Sequence, residues 1–138
     1  MAAIVSQTDV TGTPDQVFAY VTDPSKFAEW QENVMGGNMD GSTCTTTRRI
    51  GGREREVTSE VTELNPPKTW GVRGVDGPIR STVHVDVEPL AADRSRVTIT
   101  LDFTGHGYGK LLIPLVQRQS RAEMSRNMAR LKTCLETA

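Results

Sequence analysis

The sequence predicts an α+β fold in which antiparallel strands pack against one long C-terminal helix. The last thirty residues, Gly109 to Ala138, carry apolar residues at spacings of four, three and four, which is one face of an α-helix. These residues are Met124, Met128, Leu131 and Leu135. From Asn33 to Phe103, apolar and polar residues alternate with a period of two, as in strands with one buried face. A helix of roughly 40 Å with one apolar face needs an apolar surface of matching length to pack against, and a broad sheet provides it.

The helix begins with a second apolar cluster, which consists of Leu111, Leu112, Leu115 and Val116. We expect the apolar row to continue into this cluster, so that one seam runs the length of the helix. Leu112 and Val116 would then face the sheet. Gln119 and Ser120 flank the row, and we expect them to look into any space between helix and sheet. Glu123 is expected to point to solvent.

The N-terminal part predicts one strand and two short helices. Ala2 to Val10 has few apolar residues and is expected to form an edge strand. In Thr13-Pro14-Asp15-Gln16, a threonine N-cap precedes a proline at the first helical position, and the glutamine completes a capping box. Asp23-Pro24 repeats the start signal, and Phe27 and Trp30 supply the buried face of the second helix.

The centre of the chain predicts a β-hairpin. Gly41 to Ile50 and Arg53 to Leu64 are joined by Gly51-Gly52, and two glycines permit the positive φ angles of a two-residue turn. This turn fixes the register. The predicted cross-strand pairs are Ile50 with Arg53, Arg49 with Glu54, Arg48 with Arg55, Thr46 with Val57, and Cys44 with Ser59. Val57 and Val61 identify the core face. Five polar or charged residues share that face and are predicted to point inward: Cys44, Thr46, Arg48, Arg55 and Ser59.

Three further strands complete the predicted sheet. Asn65-Pro66-Pro67 ends the hairpin, and Lys68 to Gly74 predicts a short strand with Trp70 and Val72 on one face. In the segment from Ile79 to Glu88, apolar and polar residues alternate. Its inward residues are Val83, Val85 and Val87, and its outward residues are His84, Asp86 and Glu88. The last strand repeats this alternation with Val97, Ile99, Leu101 and Phe103.

Composition limits the class of protein. The length of 138 residues predicts one domain, which covers residues 1–138. The formal net charge of −1 gives no basic field for nucleic acid, so no nucleic-acid partner is expected. No apolar run approaches the roughly 18 residues of a membrane span, and no signal peptide is evident, so we expect a cytoplasmic protein without membrane insertion. Cys44 and Cys134 lack metal-site spacing, and we expect no metal and no cofactor.

Several segments in this order resemble one known family. They are Phe27-Ala-Glu-Trp30 after an Asp-Pro step, Gly51-Gly52-Arg53, Glu63-Leu-Asn-Pro-Pro67, and Leu111-Leu-Ile-Pro-Leu115 at the start of an arginine-rich helix. The chain resembles the polyketide cyclase/dehydrase and lipid-transport-like branch of the START/Bet v 1-like superfamily (SRPBCC) over essentially its whole length. The resemblance implies a helix-grip fold. A curved antiparallel sheet of six to seven strands wraps around the long C-terminal helix, and two short helices after the first strand close one end.

The resemblance also implies a cavity between sheet and helix for a small hydrophobic or amphipathic molecule. It supplies no universal catalytic motif, so no catalytic residue is carried over. We expect Trp30 and Trp70 to act either as opposing walls of this cavity or as plain core. Cys44, Thr46 and Ser59 would offer hydrogen bonds without an ionic cost. The remaining expected lining residues are Val72, Val83, Val85, Leu112, Val116, Gln119 and Ser120.

Arg48 and Arg55 permit two interpretations. Like charges opposite each other on a core face are destabilising, and arginine keeps its proton. The two guanidinium groups would either hold an anionic group of a ligand or extend past the helix to water. His106 lies between two glycines at the helix entry, where a cavity mouth is expected, and is the candidate proton shuttle.

Three functions remain open from the sequence. The first is a binder or carrier of a small hydrophobic or amphipathic molecule, acting as a monomer or homodimer. The second is a polyketide cyclase or dehydratase acting in the same cavity. Its substrate would be oriented and its protons moved by Ser59, Cys44, Arg48 and His106. The third is a protein- or ribosome-interaction module that uses the basic residues of the last helix. Those residues are Arg118, Arg121, Arg126, Arg130 and Lys132.

Overall fold

The computed structural model describes residues 3–50 and 52–137. Its strands, in chain order, are β1 (Ile4–Thr11), β2 (Val34–Asp40), β3 (Thr43–Ile50), β4 (Arg53–Asn65), β5 (Thr69–Gly74), β6 (Ile79–Ala91) and β7 (Arg94–Gly105). Its α-helices are α1 (Pro14–Val21), α2 (Phe27–Trp30) and α3 (Gly109–Thr137), and a 3-10 turn at Pro24–Lys26 leads into α2. Among the described residues the strands form one antiparallel sheet in the order β1-β7-β6-β5-β4-β3-β2. The predicted α+β fold, a curled sheet around a long C-terminal helix, is confirmed.

The short helices begin where their caps predict. The Gln16 backbone N–H donates to Thr13 Oγ1 (3.3 Å), and the Thr13 N–H donates to Gln16 Oε1 (3.1 Å), which completes the capping box. Asp23 accepts a hydrogen bond from the Ser25 N–H (3.0 Å) at the start of the 3-10 turn. These local bonds satisfy free N–H groups of each first turn, so both helix starts are encoded within a few residues.

The β3–β4 hairpin has the predicted register. Cys44 pairs with Ser59, Thr46 with Val57, and Arg48 with Arg55. Gly52 has a φ of +78°, as the two-residue turn requires, while Gly51 lies outside the described residues. The predicted inner and outer faces of the hairpin are therefore correct.

Helix α3 packs its second half on the β1, β7 and β6 side of the sheet. Its buried apolar residues there are Met124, Met128 and Leu131, and they join the core with Val10 and Val97. An ion pair and a hydrogen bond to the backbone also hold this half against the rest of the protein. Arg126 forms a bidentate ion pair with Glu32, and Lys132 donates to the Asp9 carbonyl oxygen (2.8 Å). The last turns of α3 are thus anchored by both burial and charge.

The first half of α3 differs from the predicted seam. Its buried residues are Gly109, Ile113 and Gln117, whereas Leu111, Leu112 and Leu115 are 84%, 39% and 54% exposed. The prediction of one seam through the leucine cluster was wrong. At 3.6 residues per turn, Ile113 lies about three turns before Met124 and shares its face. Leu115 lies about two and a half turns before Met124 and therefore points away from the sheet.

Candidate functional site

A group of small polar side chains lies on the inner face of the hairpin. Cys44 and Thr46 on β3 are each 4% exposed, and Ser59 on β4 is 9% exposed. The alternation of each strand and the hairpin register bring them together, because Cys44 and Ser59 are direct cross-strand partners. Their inward placement agrees with the sequence analysis. Their role as ligand contacts remains a prediction.

Arg48 and Arg55 occupy the same face but different environments. Arg48 is half-buried, whereas Arg55 is exposed. The Arg48 side chain turns toward α2, where its Nη1 donates to Gln31 Oε1 (3.4 Å), and its Nε donates to Thr46 Oγ1 (3.1 Å). The pair therefore does not act as one unit. Arg48 belongs to the interior, and Arg55 lies at the solvent-exposed rim.

The Arg48 guanidinium lacks an ionic partner in direct contact. Among residues 3–50 and 52–137, no carboxylate oxygen lies within 4 Å of it, and both of its hydrogen-bond acceptors are neutral. Burial lowers the pKa of Arg48, and the more distant charges of Glu123 and Cys44 oppose that shift. Two of its five N–H donors have acceptors within the described part of the chain, so three remain there to bind an anionic group.

Three aromatic rings connect this region to the rest of the interior. The Phe27 ring packs edge-on against Trp30 (centroids 5.9 Å apart) and against Trp70 (6.2 Å). Trp30 and Trp70, 3% and 4% exposed, belong to the packed core, with Phe27 between them. Nε1 of Trp30 is buried and has no hydrogen-bond acceptor among the described residues. An unpaired buried N–H is costly, and an acceptor atom of a ligand would remove that cost.

A hollow of about 360 Å³ opens beside Trp70 at the end of α1. Its lining is mostly apolar and includes Thr22, Met39, Val61, Leu64 and Trp70. We expected the space to lie between the sheet and the last helix, but Met124 and Met128 are part of the packed core there. The volume of the hollow is at the lower end of the range for small-molecule sites.

The other predicted lining residues divide into two groups. Val72 and Val85 are buried on the inner face, and Val83 is half-buried against the same core. On α3, Val116 and Ser120 are half-buried, whereas Leu112 and Gln119 are exposed. The difference follows from the helix rotation described above, since Leu112 and Gln119 lie on the side that faces solvent.

Both histidines belong to the outer face of the sheet. His106 lines an outer groove of about 330 Å³ together with Arg73, Arg80 and Thr104. His84 lies between two carboxylates, with Nε2 3.1 Å from Glu63 Oε1 and Nδ1 3.2 Å from Asp86 Oδ2. The expectation that His106 lies at the mouth of the inner cavity was wrong, because the β7–α3 loop turns its side chain to the opposite face.

Two residues near the site were missed by the sequence analysis. Gln31 contacts Arg48, and only the packing of α2 against β2 brings the two together. Gln117 is 8% exposed on the buried face of α3. Its position is seven residues, about two turns, before Met124, so counting turns from the well-defined end of the helix would have identified it.

The family described as polyketide cyclase/dehydrase and lipid transport matches residues 1–136 of this chain. No curated protein sequence matches it. Among solved structures, a START superfamily protein from Mycobacterium smegmatis is similar with a TM-score of 0.80 and 13% identity, over 98% of this chain and 97% of that chain.

Two further solved structures share the fold. The di-domain ARO/CYC BexL from the BE-7585A biosynthetic pathway matches with a TM-score of 0.79 and 16% identity, over 96% of this chain and 46% of that chain. A conserved protein from Geobacillus kaustophilus matches with a TM-score of 0.74 and 17% identity, over 95% and 93% of the two chains. At these identities the likeness concerns the fold alone.

Proposed function

The chain belongs to the polyketide cyclase/dehydrase and lipid-transport family, and we propose that it binds a small amphipathic molecule with an anionic group in the interior, from Arg48 toward the hollow beside Trp70. The observation that carries the proposal is the Arg48 guanidinium, which is desolvated and, among the residues that the structure describes, has only neutral acceptors in contact. A buried charge without a counter-ion is costly. An anionic ligand group would offset that cost and use the free donors.

Arg48 does not line the hollow beside Trp70, so an amphipathic ligand would extend from one to the other. The hollow beside Trp70 is mostly apolar and would take the hydrocarbon or aromatic part. Phe27 contacts both tryptophans, and Trp30 precedes Gln31, which accepts a hydrogen bond from Arg48. The aromatic residues thus connect the hollow with the charged end. The unpaired Nε1 of Trp30 would donate to a second oxygen of the ligand.

A cyclase or dehydratase acting in the same site is the second candidate. Arg48 would then stabilise the enolate of a bound reactive chain, with Cys44 and Ser59 as neighbouring polar groups. His106 lines the outer groove, so it is not a candidate proton shuttle for an interior reaction. A turnover rate that falls in Arg48→Ala while ligand affinity stays unchanged would favour the enzyme. Loss of affinity alone would favour the binder.

We also propose that the protein is cytoplasmic. The state of its cysteines supports this location. Cys44 and Cys134 are both free thiols. Free thiols are typical of a reducing compartment.

The test compares two probes that share one aromatic frame. 8-Anilinonaphthalene-1-sulfonate carries a sulfonate, and N-phenyl-1-naphthylamine lacks it. We expect the wild-type protein to bind the sulfonate probe more tightly. Arg48→Met should weaken sulfonate binding by about 10- to 100-fold, because a hydrogen bond to a charged group is lost, and should leave the uncharged probe unaffected. Arg55→Met is the matched control, since Arg55 has the same register position but lies in solvent.

Far-UV circular dichroism must show both variants folded. Equal sulfonate affinity in wild type and Arg48→Met, or failure of the wild type to bind either probe, would overturn the proposal. Native mass spectrometry of protein purified from its own host would then identify the natural ligand, which we expect to carry an acidic group.

A further inference from the structure

The first half of α3 exposes an apolar face that the sequence predicted to be buried. Tyr108, at the end of the loop that precedes the helix, is 69% exposed, and Leu111, Leu112 and Leu115 follow at 84%, 39% and 54%. Their spacing of three, one and three residues places them on one side of the helix. We call these four residues the α3 ridge.

The α3 ridge points away from the rest of the described chain. Ile113 and Gln117 are buried, and they lie on the opposite side of the helix. Singly exposed apolar residues are ordinary on protein surfaces, but three leucines and a tyrosine on adjacent turns form a contiguous patch. Such a patch indicates a surface that is covered by a partner.

The charged residues in the segment that contains the ridge are basic. Lys110, Arg118 and Arg121 are exposed, and no carboxylate within residues 3–50 and 52–137 lies within 4 Å of any of them. The sequence from 103 to 122 contains no aspartate or glutamate. In the second half of α3, by contrast, Arg126 and Lys132 pair with Glu32 and Glu136. Among the described residues, three of the four α3 cations without an ion pair therefore lie in the half that carries the ridge, and the fourth is Arg130.

We propose that the α3 ridge docks on the surface of an anionic phospholipid bilayer. The leucines and the tyrosine would enter the boundary between headgroups and acyl chains, and Lys110, Arg118 and Arg121 would contact the phosphates. The docking is peripheral. None of the helices in the described part of the chain is long and apolar enough to cross a membrane.

Two other occupants fit the surface less well. In a symmetric dimer the same patch would face itself, and the three cations of one copy would lie near those of the other. The ridge is also short, at about two helical turns, whereas a standard protein interface buries roughly 800 Å² per partner. A protein partner would need a matching groove for a convex ridge, whereas a fluid bilayer accommodates a convex apolar surface directly. This proposal is independent of the interior ligand site.

Flotation with two kinds of vesicle tests the proposal. We expect binding to phosphatidylcholine vesicles that contain about 30 mol% phosphatidylglycerol, and little binding to pure phosphatidylcholine. Binding should weaken when NaCl rises from about 0.1 M to about 0.5 M. Leu111→Ser with Leu115→Ser should weaken it at least about tenfold, through lost apolar burial. Arg118→Glu with Arg121→Glu should weaken it by about fivefold or more per residue.

Val5→Ser is the matched control, because Val5 is an apolar residue of β1 with 60% exposure away from the ridge. It should leave binding unchanged. Equal binding to both vesicle types, no binding to either, or an equal loss in Val5→Ser would overturn the proposal. So would light scattering that shows a wild-type dimer and a monomeric leucine variant, since the ridge would then contact a second copy. If the leucine variant failed to fold by circular dichroism, the arginine variant alone would decide.

Discussion

Arg48 and Arg55 are direct cross-strand partners on the inner face of the sheet, yet their side chains diverge. Arg48 turns under α2 to reach Gln31, and Arg55 remains in solvent. Two like charges directly opposite each other repel, and the separation of their environments relieves that repulsion. The consequence is one desolvated guanidinium in the interior.

Arg48→Met should stabilise the fold. The buried guanidinium loses hydration without gaining an ionic contact, and an apolar side chain of similar length avoids that cost. We expect the free energy of unfolding to rise by about 1 to 2 kcal/mol. Arg55→Met, at the exposed partner position, should change it by less than about 0.5 kcal/mol. Urea denaturation at pH 7 measures both, and a clear destabilisation by Arg48→Met would contradict this expectation.

Gly37→Ala should destabilise the protein. A Cβ at Gly37 would lie 2.9 Å from the Pro24 carbonyl oxygen and 3.1 Å from that of Thr45, because the 3-10 turn packs directly on β2. We expect a loss of about 1 to 3 kcal/mol from overpacking. Gly36→Ala is the neighbouring control, since a Cβ there meets nothing within 4 Å. An equal loss of stability in both variants would show that β2 needs glycine for its backbone flexibility and not for close packing at Gly37. Thermal denaturation of the two variants makes the comparison.

The Glu32–Arg126 ion pair should make stability depend on pH in the acid range. Arg126 donates to the Glu32 carboxylate and holds its pKa below the ordinary value of 4.5. Glu32 therefore binds its proton more readily in the unfolded chain. Its contribution to stability is complete above about pH 4.5 and disappears as the pH falls through the lower pKa of the folded state.

Denaturation from pH 7 to pH 3 measures this contribution. The difference in unfolding free energy between wild type and Glu32→Gln should be constant at neutral pH and should shrink toward pH 3. It should also decrease at high salt, because the pair is exposed. A difference that stays constant across the acid range would contradict the pairing.

The two cysteines should react at different rates. Cys44 is buried, and burial raises the pKa of its thiol despite the nearby Arg48 charge. Cys134 is half-buried near the end of α3. With Ellman's reagent at pH 8 we expect one faster and one slower phase, separated by on the order of tenfold or more. Cys134→Ser should remove the faster phase. Removal of the slower phase instead would show that Cys44 is accessible.

The parts of the fold set by neighbouring residues were predictable from the sequence. The Thr13 capping box and the β3–β4 register depend on contacts within a few residues or on a short turn, and both were confirmed. The inner face of the hairpin followed from the same register. Strand alternation and the length of the turn were therefore enough to identify Cys44 and Ser59 as buried neighbours.

The rotation of α3 was harder to predict, because both of its faces are apolar in the first half. Ile113 and Leu115 are equally hydrophobic, and only the three-dimensional packing shows which of them faces the sheet. The direction of the Arg48 side chain and the outward position of His106 likewise depend on segments distant in sequence. The long flexible arginine side chain has many rotamers, and its local sequence does not select among them.

The sequence by itself determined the elements, their order and the alternation of each strand, because caps, turns and periodicity act over a few residues. Only the tertiary structure decided which guanidinium is buried, which side of α3 meets solvent, and where the interior leaves space. Those outcomes depend on how the helices pack on the sheet. The interior is close-packed, so a side chain that is buried at one position excludes any other side chain from it.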